Sequence, residues 1–287
     1  MLTRFMRRYQ VLQAVCAAST ICFTPLSALA QSQQATDHET VMPVSAALCS
    51  DMKLHHVLGS EPPVGCDRLN LVRFSYIGFD KKLRNDGSVV VMDAVATHVA
   101  RIFRVLRSRG FPIAKAQLMN QYDGNDRASM DDNNTSAFND RAVENDNLIS
   151  LHAYGLAVDI NPIQNPYLMG ADGVFNVHPR AGMEYVNRNE NRPAKATRPG
   201  MVEPIIDIFA ENGFLIWGGY WDNPIDYQHF QVGRAMAERL AGSTPTDAAL
   251  MFNGLIQRYR HCFRGFSGSL ASRRVQCIMN ADPTAGP

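Results

Sequence analysis

No dense block of lysine and arginine follows the first thirty residues. The chain carries 28 Lys and Arg against 27 Asp and Glu, a formal net charge of +1 with its histidines neutral. This balance argues against nucleic acid or an anionic membrane surface as partner, since both reward a concentrated positive field. No segment repeats, which excludes solenoid and propeller architectures. No two cysteines outside the N-terminal stretch stand at the short spacing that puts two thiolates on one metal. Cys16 and Cys22 lack the small residue that precedes a lipidated cysteine, so lipid anchoring is not expected.

What is present begins with Arg4, Arg7 and Arg8, an apolar stretch over residues 11–29, and Ala28-Leu29-Ala30 ahead of a polar run. That order predicts a secretory signal peptide cleaved after Ala30. Pro25 and the polar residues Gln13, Ser19, Thr20, Thr24 and Ser27 weaken the alternative of a spanning helix. The remaining length suits one well-buried domain with extensions. Cys49, Cys66, Cys262 and Cys277 are left, and an even number in an exported chain predicts disulfides. Four cysteines allow three connectivities, of which sequence proximity favours Cys49 with Cys66 and Cys262 with Cys277.

Residues 31–46 are polar and aperiodic, which predicts a flexible start to the mature chain. Alternation over residues 69–79 predicts a strand, and Asn85-Asp86-Gly87 a turn into a second strand at residues 89–92. Val95, Val99, Ile102, Phe103 and Leu106 recur at helical spacing after Asp93 and stop at Gly110, with Arg101, Arg104 and Arg107 on a solvated face. Residues 113–122 read as a strand, followed by a long polar loop that leads to His152; loops of such length in a compact domain usually serve a site or are disordered. Residues 163–199 read as irregular. Beyond them a helix is predicted at 202–212, strands at 214–217 and 229–232, and helices at about 234–240 and 247–259.

Chemistry concentrates in SLHAYGLAVDINP and WDNPIDYQHFQ. His152, Asp159 and His229 offer two imidazole nitrogens and a carboxylate, a zinc ligand set that leaves a position open for water. Strand alternation turns Asp159 to the face opposite Val158 and Ile160, and Gly155 lets the chain fold His152 back beside it. Taken singly, each residue has a bland alternative: a capped loop histidine and a turn carboxylate. Asp226, three residues before His229, changes the balance, because a carboxylate beside a metal-activated water can act as general base and acid. Its alternative roles are a surface carboxylate after Pro224 or a fourth ligand that closes the site. Ser150 suits a local hydrogen bond better than nucleophilic chemistry, which would need His152 as a base. Tyr154, Trp217, Tyr220 and Trp221 are groove or core aromatics, and the other histidines have no partners at readable spacing.

At these residues the chain resembles the zinc D-alanyl-D-alanine carboxypeptidase family, within it the subgroup that includes L-alanyl-D-glutamate endopeptidases. The resemblance is carried by Ser150, His152, Gly155, Asp159, Trp217, Gly218, Gly219, Asp226, His229 and Phe230, and extends over residues 69–232. It implies one zinc ion on His152, Asp159 and His229, with Asp226 as the catalytic carboxylate. It also implies an arginine that polarises the scissile carbonyl. That arginine commonly falls in an Asn-Cys-Arg run; here the run is Asn139-Asp140-Arg141, which makes Arg141 the candidate and Arg127 its rival.

The implied fold is α+β, a small antiparallel sheet with helices packed on it, of Hedgehog/DD-peptidase type. The expected organisation is a signal peptide at 1–30, an N-terminal extension at 31–68, a peptidase domain at 69–242 and a C-terminal extension at 243–287. The expected function is hydrolysis of an amide in a peptidoglycan stem peptide, outside the cytoplasm at the cell wall. A non-catalytic, metal-stabilised wall-binding module on the same fold is the alternative.

Overall fold

A computed structural model describes residues 39–143, 148–171 and 174–284, which belong to one compact unit. The signal-peptide expectation lies outside these residues. The chain opens with β1 (Thr40–Pro43) and α1 (Ala46–Leu54), then forms the hairpin β2 (Leu69–Ile77) and β3 (Leu83–Met92). β1 pairs along β2, so part of the stretch expected to be flexible is sheet. The anchor is Glu39: its carboxylate is buried between Arg104 (3.0 Å) and Arg107 (2.9 Å) of α2 (Ala96–Ser108). Two arginines expected on a solvated face thus hold the start of the described chain.

Asn85-Asp86-Gly87 is not the hairpin turn. The register shifts there, with Phe74 opposite Gly87 and Tyr76 opposite Arg84, which marks a bulge. Gly87 is required by contact, since a Cβ would lie 2.7 Å from the Phe74 ring. The chain reverses at residues 78–82 instead, where the Gly78 N–H donates to the Lys82 carbonyl at 2.8 Å. α2 covers this sheet as its periodicity predicts, burying Val99, Ile102, Phe103 and Leu106 and stacking Phe103 on Phe74.

Residues 113–122 are not a strand. Buried asparagines take their backbone groups: Asn161 Oδ1 accepts from Ala114 N at 3.0 Å and Asn134 Oδ1 from Gln117 N at 2.7 Å. The polar loop that follows is largely ordered. It contains α3 (Asp126–Asp131) and then a segment through Thr135 and Ser136 laid against β4 (Ala157–Asp159).

A hairpin, β5 (Tyr167–Ala171) and β6 (Val174–His178), occupies part of the stretch read as irregular. The helix expected at 202–212 is a 3-10 turn at Glu203–Ile205 leading into the short α4 (Ile206–Ala210). Three short strands come next: β7 (Ile216–Trp217), β8 (Ile225–Asp226) and β9 (His229–Gln231). The strands form three antiparallel sheets, ordered β1-β2-β3, β4-β9-β7 and β6-β5-β8. The architecture is mixed helix and small antiparallel sheet, compatible with the expected α+β class, although the strands divide among three sheets.

The chain ends in α5 (Arg234–Ala241), α6 (Pro245–Gly265) and α7 (Leu270–Ala281). α6 buries Phe252, Leu255 and Tyr259 completely in the same hydrophobic core that holds Phe209, Phe214 and Phe230. Disulfides join Cys49 to Cys66 and Cys262 to Cys277, the latter tying α7 to α6. Among the described residues no helix is long and apolar enough to cross a membrane.

Gly155 is where backbone freedom matters most for the site. Its φ is +66° and a Cβ would sit 2.5 Å from Met92 N, while its carbonyl accepts from that same N–H at 3.0 Å. Gly155→Ala adds left-handed strain of about 1–2 kcal/mol to a backbone clash. We expect an unfolding midpoint lowered by at least several degrees, at about 2–4 °C per kcal/mol for a domain near this size. A melt that matches the parent would contradict this account.

Candidate metal centre

His152 sits in a 3-10 turn, Leu151–Tyr154, whose start is capped by Ser150: its Oγ accepts from the His152 N–H at 3.2 Å. This is the local role expected for Ser150. Asp159 ends β4 and His229 begins β9, and antiparallel register makes them direct partners. Two residues seventy positions apart are thereby brought side by side. Ser136 bonds both backbone groups of Asp159 (2.9 and 3.1 Å), so the polar stretch ahead of His152 packs directly on the strand that carries Asp159.

The three side chains converge, all buried. His152 Nε2 lies 3.2 Å from His229 Nδ1 and 3.2 Å from Asp159 Oδ2, and His229 Nδ1 lies 2.9 Å from Asp159 Oδ1. His152 Nδ1 is hydrogen-bonded to the Ala137 carbonyl, and His229 Nε2 to Gln231 Oε1 at 2.7 Å. A carbonyl can only accept, so the His152 proton is held on Nδ1 and a lone pair is left on Nε2 facing the cluster. Two imidazole nitrogens and a carboxylate crowded this way could hold a cation between them. Donors ~2.0–2.1 Å from a tetrahedral zinc are ~3.3 Å apart, close to the spacings found. The donor set therefore fits one divalent ion.

Burial drives the His152 imidazole down and the Asp159 carboxyl up. Their pairing, with His229 also bonded to Asp159, reverses both: His152 is held above its usual range and Asp159 well below.

Asp226 ends β8, where its backbone pairs with Tyr167 of β5. The residue is 8 % exposed, and Oδ1 is buried with no hydrogen-bond partner among the described residues. Burial first, and the nearby Asp159 charge second, push its carboxyl up to about 7. The Trp-Gly-Gly run is the support beneath it. Trp217 Nε1 donates to the Tyr227 carbonyl at 2.8 Å, and a Cβ on Gly218 would lie 2.6 Å from the Asp226 carbonyl oxygen. Trp217 is thus part of the core and does not line the cleft of His152 and His229.

His152, Asp226 and His229 line one cleft of about 290 Å³ together with Arg141, Asp126, Tyr167, Trp221, Gln231 and Arg234. Arg141 Nη2 donates to Asp126 Oδ2 at 2.8 Å, which holds the guanidinium at the cleft. The rival Arg127 lies against His178, with Nη1 3.0 Å from Nδ1, and does not line the cleft. A second, mostly apolar groove between β7 and α7 shares only Trp221 with it; Trp217 and Tyr220 line that groove too, but His152, Asp159, His229, Asp226 and Arg141 do not.

Residues 144–232 match the family model described as D-alanyl-D-alanine carboxypeptidase. The match supports the zinc D-alanyl-D-alanine carboxypeptidase family, and with it a peptidase. His152, Asp159, Asp226 and His229 all fall inside the matched segment, while Arg141 lies just ahead of it. The segment is narrower than the 69–232 range over which the sequence resembles that family. Comparisons with curated proteins and with solved structures find no match.

Sequence reasoning missed Gln231, Asp126 and the cleft wall from β5. Gln231 was readable: two residues after His229 in a strand, it must share that histidine's face. The hairpin also had a signal, Asp172-Gly173 between two apolar runs. Asp126 had none, because its pairing with Arg141 depends on tertiary placement.

Proposed function

We propose that the protein is an exported zinc peptidase that hydrolyses an amide bond in peptidoglycan stem peptides, as a D-alanyl-D-alanine carboxypeptidase or an L-alanyl-D-glutamate endopeptidase. One observation carries this reading: a convergent two-histidine, one-carboxylate donor set, whose two histidines line the cleft, lies beside Asp226, a cleft residue whose buried Oδ1 has no hydrogen-bond partner among the described residues. A closed structural site would need a fourth protein donor, and Asp226 is not part of the convergent group.

His152 Nε2, Asp159 and His229 Nδ1 would hold the zinc, a donor set suited to that ion. Zinc held there would supply Lewis acidity toward the scissile carbonyl and the attacking water. Asp226 accepts the proton of that water and passes it to the leaving amine. Arg141, steadied by Asp126, donates to the oxygen on which negative charge develops. Export is supported by the N-terminal arginines, apolar run and small-residue site, and by two disulfides of the kind that persist in oxidising compartments.

Incubation of the zinc-loaded protein with purified muropeptides, followed by mass spectrometry, tests the proposal. Loss of one alanine identifies the carboxypeptidase, and internal cleavage after L-alanine the endopeptidase. Unchanged masses would sink both.

A further inference from the structure

We propose that Gln231 is the positioning residue that makes His229 a metal ligand, by holding its imidazole proton on Nε2. This rests on the reading of His152, Asp159 and His229 as ligands. β9 alternates faces: Phe230 is fully buried in the core, and His229 and Gln231 turn together to the other side. There Gln231 Oε1 lies 2.7 Å from His229 Nε2.

A neutral imidazole carries one N–H and one lone pair, and its neighbours decide which nitrogen has which. On one side of the His229 ring, Asp159 Oδ1 is 2.9 Å from Nδ1 and attracts the proton there. A proton so placed leaves no lone pair facing His152 and Asp159. On the other side the Gln231 carbonyl attracts the proton to Nε2. With the proton on Nε2, the Nδ1 lone pair joins His152 Nε2 and the Asp159 carboxylate in one converging set. Gln231 opposes Asp159 without adding charge, since its amide is neutral.

His152 meets the same requirement differently. Its proton is held by the Ala137 backbone carbonyl, which no side-chain substitution removes. The His229 orientation hangs on a single side chain and is open to mutation.

Zinc affinity of the full chain, measured by competition with a chromophoric chelator, reads the effect directly. Gln231→Met keeps the volume and removes the acceptor, so its dissociation constant is expected to rise roughly 10- to 100-fold, the range for losing an outer hydrogen-bond partner of a ligating histidine. Gln231→Glu keeps an acceptor and is expected to bind at least as tightly as the parent, a rescue that a packing role would not produce. Long-range ¹H–¹⁵N spectra of the zinc-loaded parent should find the His229 proton on Nε2. Parent-like affinity in Gln231→Met, or a His229 proton on Nδ1, overturns the proposal. Should Gln231→Met not fold, Gln231→Asn withdraws the carbonyl by one methylene and is judged by the same affinity criterion, beside the parent spectrum. A parent that takes up no zinc removes the ligand reading itself, whereas a zinc-binding parent with an indifferent Gln231→Met removes the positioning role alone.

Discussion

Asp226→Asn is expected to lower kcat for stem-peptide hydrolysis by roughly 10²- to 10⁴-fold, the range for losing a positioned general acid–base. Zinc affinity should stay within a few-fold of the parent, because Asp226 lies outside the converging donor group. The fold should be indifferent or slightly more stable. Asp226 reaches the sheet through its backbone pairing with Tyr167, and its buried Oδ1 has no hydrogen bond to lose among the described residues. Removing a desolvated carboxylate relieves a cost rather than creating one. Activity, metal binding and melting temperature measured on one preparation separate the possibilities. Full activity in the zinc-loaded variant would refute the catalytic role. Loss of zinc binding together with activity would make Asp226 a fourth ligand.

The convergence of His152, Asp159 and His229 was legible because each of its two segments carries a short, fixed spacing, seven residues from His152 to Asp159 and three from Asp226 to His229. Asp159 pairs with His229 in register, and alternation along β4 and β9 decides which side chains face the cleft. The β2 strand and α2 were legible for a related reason: Phe74, Phe103 and Leu106 recur with the period of the element that buries them. Misreadings arose where backbone groups are satisfied by side chains. Residues 113–122 have the apolar content of a strand, yet Asn134 and Asn161 take up their N–H groups from elsewhere in the chain. Polar composition suggested a long loop at residues 122–147, although Asn134 and Thr135 are fully buried within it. Long-range ion pairs were invisible for the same reason, as with Glu39 between Arg104 and Arg107 and Asp126 beside Arg141.

α6 shows how periodicity locates an element without saying what it touches. Its apolar spacing predicted a helix in the tail; what the spacing does not contain is that Phe252 packs edge-on against Phe214, or that a Cβ on Gly213 would lie 2.3 Å from the Phe252 ring. Phe209 in turn stacks on Phe230, the residue between His229 and Gln231. The tail helix is thus linked through core aromatics to the strand that carries a candidate ligand.

Asp159→Ala is expected to remove high-affinity zinc binding, with loss beyond the roughly 100-fold reached when an outer partner is deleted. Asp159 is the one anionic donor of the three and lies within hydrogen-bond distance of His229 and 3.2 Å from His152. Without it, two neutral imidazoles face a divalent ion with no carboxylate to balance its charge. The strand should survive, since Ser136 bonds the backbone of residue 159 and not its side chain. Thermal unfolding reads the difference. Zinc at a hundredfold excess over its dissociation constant stabilises the parent by about 2.7 kcal/mol. For a domain of this size that is roughly 5–10 °C in melting temperature, and Asp159→Ala should show none of it. Chelation of the parent should reverse the shift and stop hydrolysis together, with zinc restoring both. A metal-stabilised binding module would show the same thermal shift with no hydrolysis in the loaded parent, so the paired measurement decides between a catalyst and a staple.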